Sequence, residues 1–350
     1  MPVERIWRLK SHSYLASRLA GEADLTPLQA QLLVNRGISD RETARFFLRP
    51  QLLYMADPML LKDMDEATAI IVSALEKNEK ITIYGDYDAD GLTATALLLN
   101  FLSNLGTPAA SYIPNRLKEG YGLNRQAVEK IAKSGTNLII TVDCGISNGT
   151  EIAYAKALGM KVVVTDHHQI PEGFRANYPV VDPHRPDCTF PFKHLAGVGL
   201  AFFLAVAIRA ALRKKGWFRN RREPDLKGYL DLVALGTVAD RAPLTGQNRI
   251  LVRGGIGVMA RSQWAGINAM MAIANIAASE ITAEDLAFRL GPRLNAPGRV
   301  GDPEIGLKVL TVEDPDLAMG FARGVNVENN RRQSLEKTIL DQIDLSLIHI

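Results

Sequence analysis

The chain carries three carboxylates within five residues, Asp86-Tyr87-Asp88-Ala89-Asp90, followed directly by Gly91. Like charges this close repel one another unless a cation compensates them. A calcium EF-hand loop shares the pattern D-x-D-x-D-G but needs Glu at its twelfth position. That position is Leu97, and the run before the motif, Lys80–Tyr84 (KITIY), reads as a strand rather than a helix. A plain acidic turn would be polar on both sides, whereas this one separates an apolar strand from an Ala- and Leu-rich helix. Two further apolar runs end in the same chemistry. NLIITV (137–142) ends in Asp143, followed by Cys144-Gly145, and KVVVT (161–165) ends in Asp166-His167-His168. Asp240, after the apolar run of LVALGTVADRAPL, is a fourth candidate.

Carboxylates mixed with imidazole suit Mn²⁺, and carboxylates with water suit Mg²⁺. Two such ions about 3.5–4 Å apart can activate a water and neutralise the oxygens of an in-line phosphoryl displacement. A thiolate would favour zinc. Cys144 could also pair with a histidine as a nucleophile, but a small residue in the tight turn before Gly145 accounts for it more simply. No Walker A, G-x-G-x-x-G or G-x-S-x-G pattern occurs, which removes nucleotide-triphosphate, dinucleotide and α/β-hydrolase readings. Metal-assisted hydrolysis of a phosphoester or phosphoanhydride is the chemistry that remains.

These residues need elements that bring strand ends together. Strands at 80–84, 110–113, 137–142, 161–165 and 179–181 alternate with helices expected over 63–75, 93–105, 125–133 and 148–158. The strands are apolar throughout, as in a parallel sheet covered on both faces, and such sheets bind ligands at their carboxyl ends. The first sixty residues read as short helices. Thr26-Pro27 marks one start, and Ser39 with Glu42 fits a capping box. From Val198 onward the pattern is helical. Segments are expected near 229–235, 249–259, 267–278 and 283–290, then a polar helix over 320–343 with Glu328 four residues before Arg332. Arg213–Arg222, RKKGWFRNRR, holds six basic residues and two aromatics. It is read as a solvated basic loop, with tracking of a single strand as the competing reading.

The 350 residues are 47% hydrophobic and 23% charged, a globular composition that excludes disordered, collagenous and coiled-coil classes. Length favours two or three domains. No apolar run approaches the roughly 20 residues of a membrane helix, and the start MPVERIWRLKSHSY lacks the apolar core of a signal peptide. Two cysteines, Cys144 and Cys188, cannot build a disulfide framework, so a reducing cytoplasm is expected. The net charge of +3 permits a polyanionic partner without requiring one.

Asp166-His167-His168 is the name-giving signature of the DHH phosphoesterase superfamily, and IYGDYDADG, VDCGIS, VTDHH and ALGTVAD stand in that family's order. The chain resembles this superfamily, and within it the single-strand-specific 5′→3′ DNA exonucleases of repair and recombination. IPNRLKEGYGL (113–123), DPHRPDC (182–188), HLAGVGLAF (194–202), GPRLNAPGRVGD (291–302) and RGISDRETARFFLRP (36–50) are similar to theirs. The resemblance implies an α/β fold with a DHH-type parallel β-sheet flanked by helices. It divides the chain into an N-terminal helical region (1–62), a catalytic domain (63–245), a helical subdomain (246–319) and the start of a connecting helix (320–350).

By the same resemblance two Mn²⁺ or Mg²⁺ ions are bound. Asp86 and Asp88 are ligands, Asp143 bridges the ions, and His167 with Asp240 completes the second site. His168 sits beside the scissile phosphate, and Asp90 supports the loop. Asn115, Arg116 and Tyr121, with Arg293, Asn295 and Arg299, are the implied contacts to single-stranded DNA with a 5′ end. A single-strand-binding protein is the implied partner. Many relatives carry His where this chain has Tyr84, which implies one more weakly held ion. That also favours the exonuclease over the alternative, a DHH phosphoesterase acting on short oligonucleotides, cyclic dinucleotides or pyrophosphate. Members of this type continue into DHHA1 and OB-fold domains not found in these 350 residues. The expectation is therefore a truncated chain that binds Mn²⁺ yet degrades DNA poorly. Its last six residues, LSLIHI, match one reading frame of a common sequencing adapter and are expected to be non-native.

Overall fold

The computed structural model describes residues 13–348, with side chains through residue 343. Readings made on the first twelve residues and on Leu345–Ile350 lie outside the described residues, apart from the backbone of 345–348. The chain forms two compact units, divided between Tyr54 and Met55. The boundaries expected at 245 and 319 both fall inside the second unit.

The first unit packs α1 (Tyr14–Ala23), α2 (Pro27–Val34) and α3 (Arg41–Leu48) around Ala16, Leu19, Ala30, Leu33, Ile38 and Ala44. Thr26 caps α2 in a full capping box with Gln29, with Pro27 at the first helical position. The cap of α3 is Asp40, one residue after the expected Ser39. Its carboxylate accepts the Thr43 amide at 2.9 Å, which leaves Glu42 inside the first turn.

The second unit begins with α4 (Met64–Glu76) and is built on a five-stranded parallel sheet of order β2-β1-β3-β4-β5. Its strands are β1 (Ile81–Tyr84), β2 (Ala110–Tyr112), β3 (Leu138–Val142), β4 (Lys161–Thr165) and β5 (Val180–Val181). In register, Tyr84 pairs with Tyr112 and Thr141, and Val142 with Thr165. Between the strands run α5 (Ala89–Asn104), α6 (Arg116–Glu119), α7 (Arg125–Lys133) and α8 (Gly149–Ala157).

Side chains alternate across the strands. Tyr84, Ile139, Val162 and Val164 join a core with Val128, Ile131 and Ile152 from α7 and α8. The opposite face is covered by α5 and by α9 (Gly197–Lys214). Burial on both faces is why β1, β3, β4 and β5 lack polar alternation, whereas the edge strand β2 (ASY) is largely exposed.

The remaining helices are α10 (Leu230–Ala239), α11 (Gly246–Met259), α12 (Ala265–Ile273), α13 (Ala283–Asp285), α14 (Gly291–Val300), α15 (Glu304–Thr311) and α16 (Pro315–Ile348). A π-helical turn, Leu286–Leu290, runs into α14. The polar helix expected over 320–343 starts earlier, and its first half is not a free bridge. Ala318, Ala322, Val325 and Asn329 are buried, and α16 packs on α12, α14 and α15. Arg332 does not pair with Glu328 but with Glu336 at 2.9 Å, and Glu328 faces Arg331 at 3.6 Å. The basic run at 213–222 begins at the C-terminal end of α9, about 24 Å from that helix's first residue at 1.5 Å per residue. Arg213 pairs with Glu223, Lys215 with Glu76, and Arg221 stacks on Trp217 at 4.1 Å. Among the described residues no helix is long and apolar enough to cross a membrane.

Candidate metal centre

Four neighbouring strands place acidic groups at one edge of the sheet. Asp86 follows β1 after Gly85, Asp143 follows β3, Asp166 and His167 follow β4, and Asp182 follows β5. A parallel sheet points all its carboxyl ends the same way, so this convergence is a consequence of topology. Asp143 is held at φ 62, a conformation rarely adopted outside glycine, which turns its carboxylate back over the sheet edge. Helix α5 begins at Ala89, four residues before its expected start, because Asp88 is its N-cap. The Asp88 Oδ1 accepts the amides of Asp90 and Gly91, each at 3.0 Å. The acidic motif is thus the first turn of a helix, where the macrodipole favours negative charge.

Asp90 is fully buried, and its oxygens accept the amides of Gly197 at 2.6 Å and Val198 at 2.8 Å. It therefore ties the start of α9 to the start of α5. Gly197 lies so close to the centre that a Cβ there would stand 2.7 Å from the Asp143 Cβ. Asp240 is not at a strand end; it caps the C-terminus of α10.

Three sets of side chains offer ligand atoms within 4.8 Å of one another: Asp86, Asp88 and Asp143; Asp90, His167 and Asp240; and Asp143 with His167 and His168. Asp143 and His167 each belong to two sets. The His167 Nε2 lies 2.9 Å from Asp143 Oδ1 and 3.7 Å from Asp90 Oδ2. Yet Asp143 Oδ1 and Asp86 Oδ1 are buried without any hydrogen-bond partner. Buried carboxylate oxygens that converge with so few donors fit a divalent cation.

The proton equilibria agree with that fit. Burial and then Asp88 push the Asp86 carboxyl up to about 7. Burial and Asp90 push Asp143 well up, burial and Asp240 do so for Asp90, and burial and Asp88 move Asp240 to about 6. Burial lowers His167 to about 4, so it is neutral and able to ligate. His168 goes the other way, to about 9, because its Nδ1 is bonded at 2.7 Å to Asp166 Oδ1. Burial acts to raise Asp166. The bonds from His168 and the amides of Ile146 and His168 more than offset it, holding Asp166 below the ordinary carboxylate range.

The implied DNA contacts separate into two groups. Arg116 lies over the Tyr87 ring at 5.5 Å, and the Tyr121 hydroxyl is 3.3 Å from His168 Nδ1, so both border the centre. Asn115 is the N-cap of α6. Arg293 is committed to Asn326 and to the Arg289 carbonyl, joining α14 to α16. Asn295 accepts the Ala89 amide at 2.7 Å and so holds the acidic motif against α14. Arg299 lines a cavity of about 300 Å³ with Asn295, Arg241 and Arg332. Tyr84 donates to the Gly122 carbonyl at 2.9 Å and stacks on Tyr112, away from any metal role.

Several of these residues are not legible as site residues in the sequence. Arg241 and Arg332 are distant in the chain, and nothing local marks them. Asp166 stands in the signature, but its role as the orienting partner of His168 depends on the turn geometry. Asp182 did carry a signal, being a further acidic residue after an apolar strand.

Comparison with known proteins gives a consistent picture. The DHH family, N-terminal domain, matches residues 80–237. The single-stranded-DNA-specific exonuclease RecJ of Salmonella typhimurium is 40% identical over 339 residues, covering 94% of this chain and 58% of that protein. RecJ of Bacillus subtilis is also 40% identical, with 93% and 40% covered. The chain thus spans about half the length of the curated relatives it matches. Among solved structures, exonuclease RecJ bound to manganese is 36% identical with a TM-score of 0.72, covering 81% of this chain and 69% of that one. RecJ of Thermus thermophilus in complex with Mn²⁺ is 32% identical with a TM-score of 0.78, covering 94% and 45%.

Proposed function

This chain belongs to the DHH family, in its RecJ branch, and from that premise we propose that it hydrolyses phosphodiester bonds of single-stranded DNA from the 5′ end. The observation that carries the reading is the set of buried, donorless carboxylate oxygens converging with a neutral imidazole at the carboxyl edge of the sheet. Asp86, Asp88 and Asp143 would hold one Mn²⁺ or Mg²⁺, and His167 with Asp240 a second, with Asp143 shared between them. Bound there, such ions supply Lewis-acid polarisation of the phosphate and a more acidic water.

The chain's own groups do the rest. Asp166 holds His168 in the protonated state with Nδ1 occupied, so Nε2 is left to donate to a phosphate oxygen as negative charge develops. Asp90 and Asn295 keep the acidic turn in place through backbone amides. Arg299, Arg241 and Arg332 line a cavity whose charge and size suit a terminal phosphate, which guanidinium groups bind in bidentate fashion. Asn115, Arg116 and Tyr121 would meet the strand near Tyr87 and His168. A single-strand-binding protein as partner and a cytoplasmic setting complete the proposal; both cysteines are buried and unpaired, in keeping with a reducing compartment.

The test is a nuclease assay with 5′- and 3′-labelled oligonucleotides, single and double stranded, with and without Mn²⁺. Slow, non-processive release of label from the 5′ end of the single strand, dependent on Mn²⁺ and abolished by Asp143→Ala, is the expected result for these 350 residues. Cleavage confined to two- to five-nucleotide substrates, or activity surviving Asp143→Ala, would overturn it.

A further inference from the structure

One side chain of the acidic turn takes no part in the metal centre. Tyr87 stands between Asp86 and Asp88, and its ring is half-buried. Three neighbours fix where that ring lies. The first is α14: a Cβ on Gly298 would stand 3.3 Å from the Tyr87 Cδ2 and 2.6 Å from its carbonyl oxygen, so only a residue without a side chain lets Tyr87 sit there. Tyr121 meets the ring edge to face, with centroids 6.5 Å apart and planes at 81°. Arg116 is the third, its guanidinium carbon over the ring at 5.5 Å from the centroid.

Arg116 is exposed, and among the described residues it makes no ion pair and no side-chain hydrogen bond. Its backbone is nonetheless held. Helix α6 is fastened through Glu119, which accepts from the Tyr112 hydroxyl at 2.6 Å and from the Asn115 amide at 2.8 Å. The side chain of Arg116 is therefore steered by the Tyr87 ring on a fixed base. An arginine that is free in solution loses rotamer entropy when a ligand immobilises it. A ring that holds it beforehand removes part of that cost. A guanidinium seated over a ring still presents N–H groups, and these grip a phosphate in bidentate fashion.

We propose that Tyr87 is a positioning residue for strand binding: its ring holds the Arg116 guanidinium ready for a phosphate of the DNA backbone. Because the same turn carries Asp86 and Asp88, that phosphate is set in register with the metal centre. The inference rests on the reading of the chain as a single-strand nuclease, and it gives Tyr87 no contact with DNA of its own.

The experiment is fluorescence anisotropy with the 350-residue chain, Mn²⁺ and a labelled phosphorothioate strand of about 15 nucleotides, which resists hydrolysis. The variants are Tyr87→Phe, Tyr87→Leu, Arg116→Ala and the double variant, with melting curves to show that each folds. Arg116→Ala should weaken binding about 10-fold or more. Tyr87→Leu should weaken it about 2- to 5-fold, and Tyr87→Phe, which keeps the ring, should bind like the parent. In the Arg116→Ala background, Tyr87→Leu should add no further loss, since the ring acts only through the arginine. A structural role, or direct stacking of a base on Tyr87, would weaken binding equally in both backgrounds and overturn the inference. Parental affinity in Tyr87→Leu overturns it as well. So does parental affinity in Arg116→Ala, a result that stands even if Tyr87→Leu does not fold. If the unsubstituted chain binds no single strand, the nuclease reading itself falls and the inference falls with it.

Discussion

Replacing Gly197 by alanine is expected to disable the centre, although helix propensity alone predicts the opposite. Gly197 is the first residue of α9, and glycine to alanine in a helix ordinarily stabilises by up to about 1 kcal/mol. Here the added Cβ would stand 2.7 Å from the Asp143 Cβ and 2.9 Å from both its Cγ and its Oδ1. Ordinary contact begins near 3.4 Å. Something must therefore retreat by several tenths of an ångström. Asp143 has little freedom to do so: it is 2% exposed, its backbone is at φ 62, and its amide is bonded to the Thr165 carbonyl at 3.1 Å. Gly197 is equally constrained, since its amide donates to Asp90 at 2.6 Å.

Overpacking of this kind costs about 1–3 kcal/mol. The functional effect is larger, because a 1 Å misplacement in a catalytic constellation can cost on the order of 100-fold. We expect Gly197→Ala to melt a few degrees lower, to lose Mn²⁺ affinity, and to cut 5′-labelled single strands roughly 100-fold more slowly. Calorimetric Mn²⁺ titration and a single-turnover nuclease assay read both effects. A variant that is more stable than the parent and binds Mn²⁺ equally well would refute the packing argument.

Three further outcomes are expected. At 100 times its dissociation constant, Mn²⁺ should stabilise the chain by about 2.7 kcal/mol; melting curves with and without chelator should show this, and Asp143→Ala should erase the difference. Asp231 is buried and accepts from Ser262, Trp264 and the Leu232 amide, yet burial raises it to about 6. A raised carboxyl pKa favours the protonated fold, so its contribution is complete below about pH 4 and is lost as pH rises through 6. Relative to Asp231→Asn, the parent should therefore lose about 2 kcal/mol between pH 4 and pH 7, read from denaturant midpoints; a constant difference would count against the shift. Arg299→Ala should raise KM for a 5′-phosphorylated oligonucleotide about 10-fold more than for its 5′-hydroxyl counterpart, a charge-assisted hydrogen bond being worth about 1.5–3 kcal/mol.

Asp86, Asp88, Asp143 and His167 are legible in the chain because each lies just beyond the end of an apolar strand. Strand β4 and helix α7 have the boundaries that composition implies, and the parallel order follows from alternating strands and helices. Types, spacing and periodicity therefore sufficed for a hard-ligand site at the carboxyl edge of a parallel sheet. They could not show that the acidic motif is a helix start, since that depends on which oxygen of Asp88 caps which amide. Nor could they reveal that Asp90 ties α5 to α9 from 107 residues away, or that Asn295 holds the motif from 206 residues away. The Arg299 cavity, to which Arg241 and Arg332 contribute from other elements, belongs to the same class. Periodicity records what one element buries, whereas these contacts arise where several elements meet, and only their packing sets those distances.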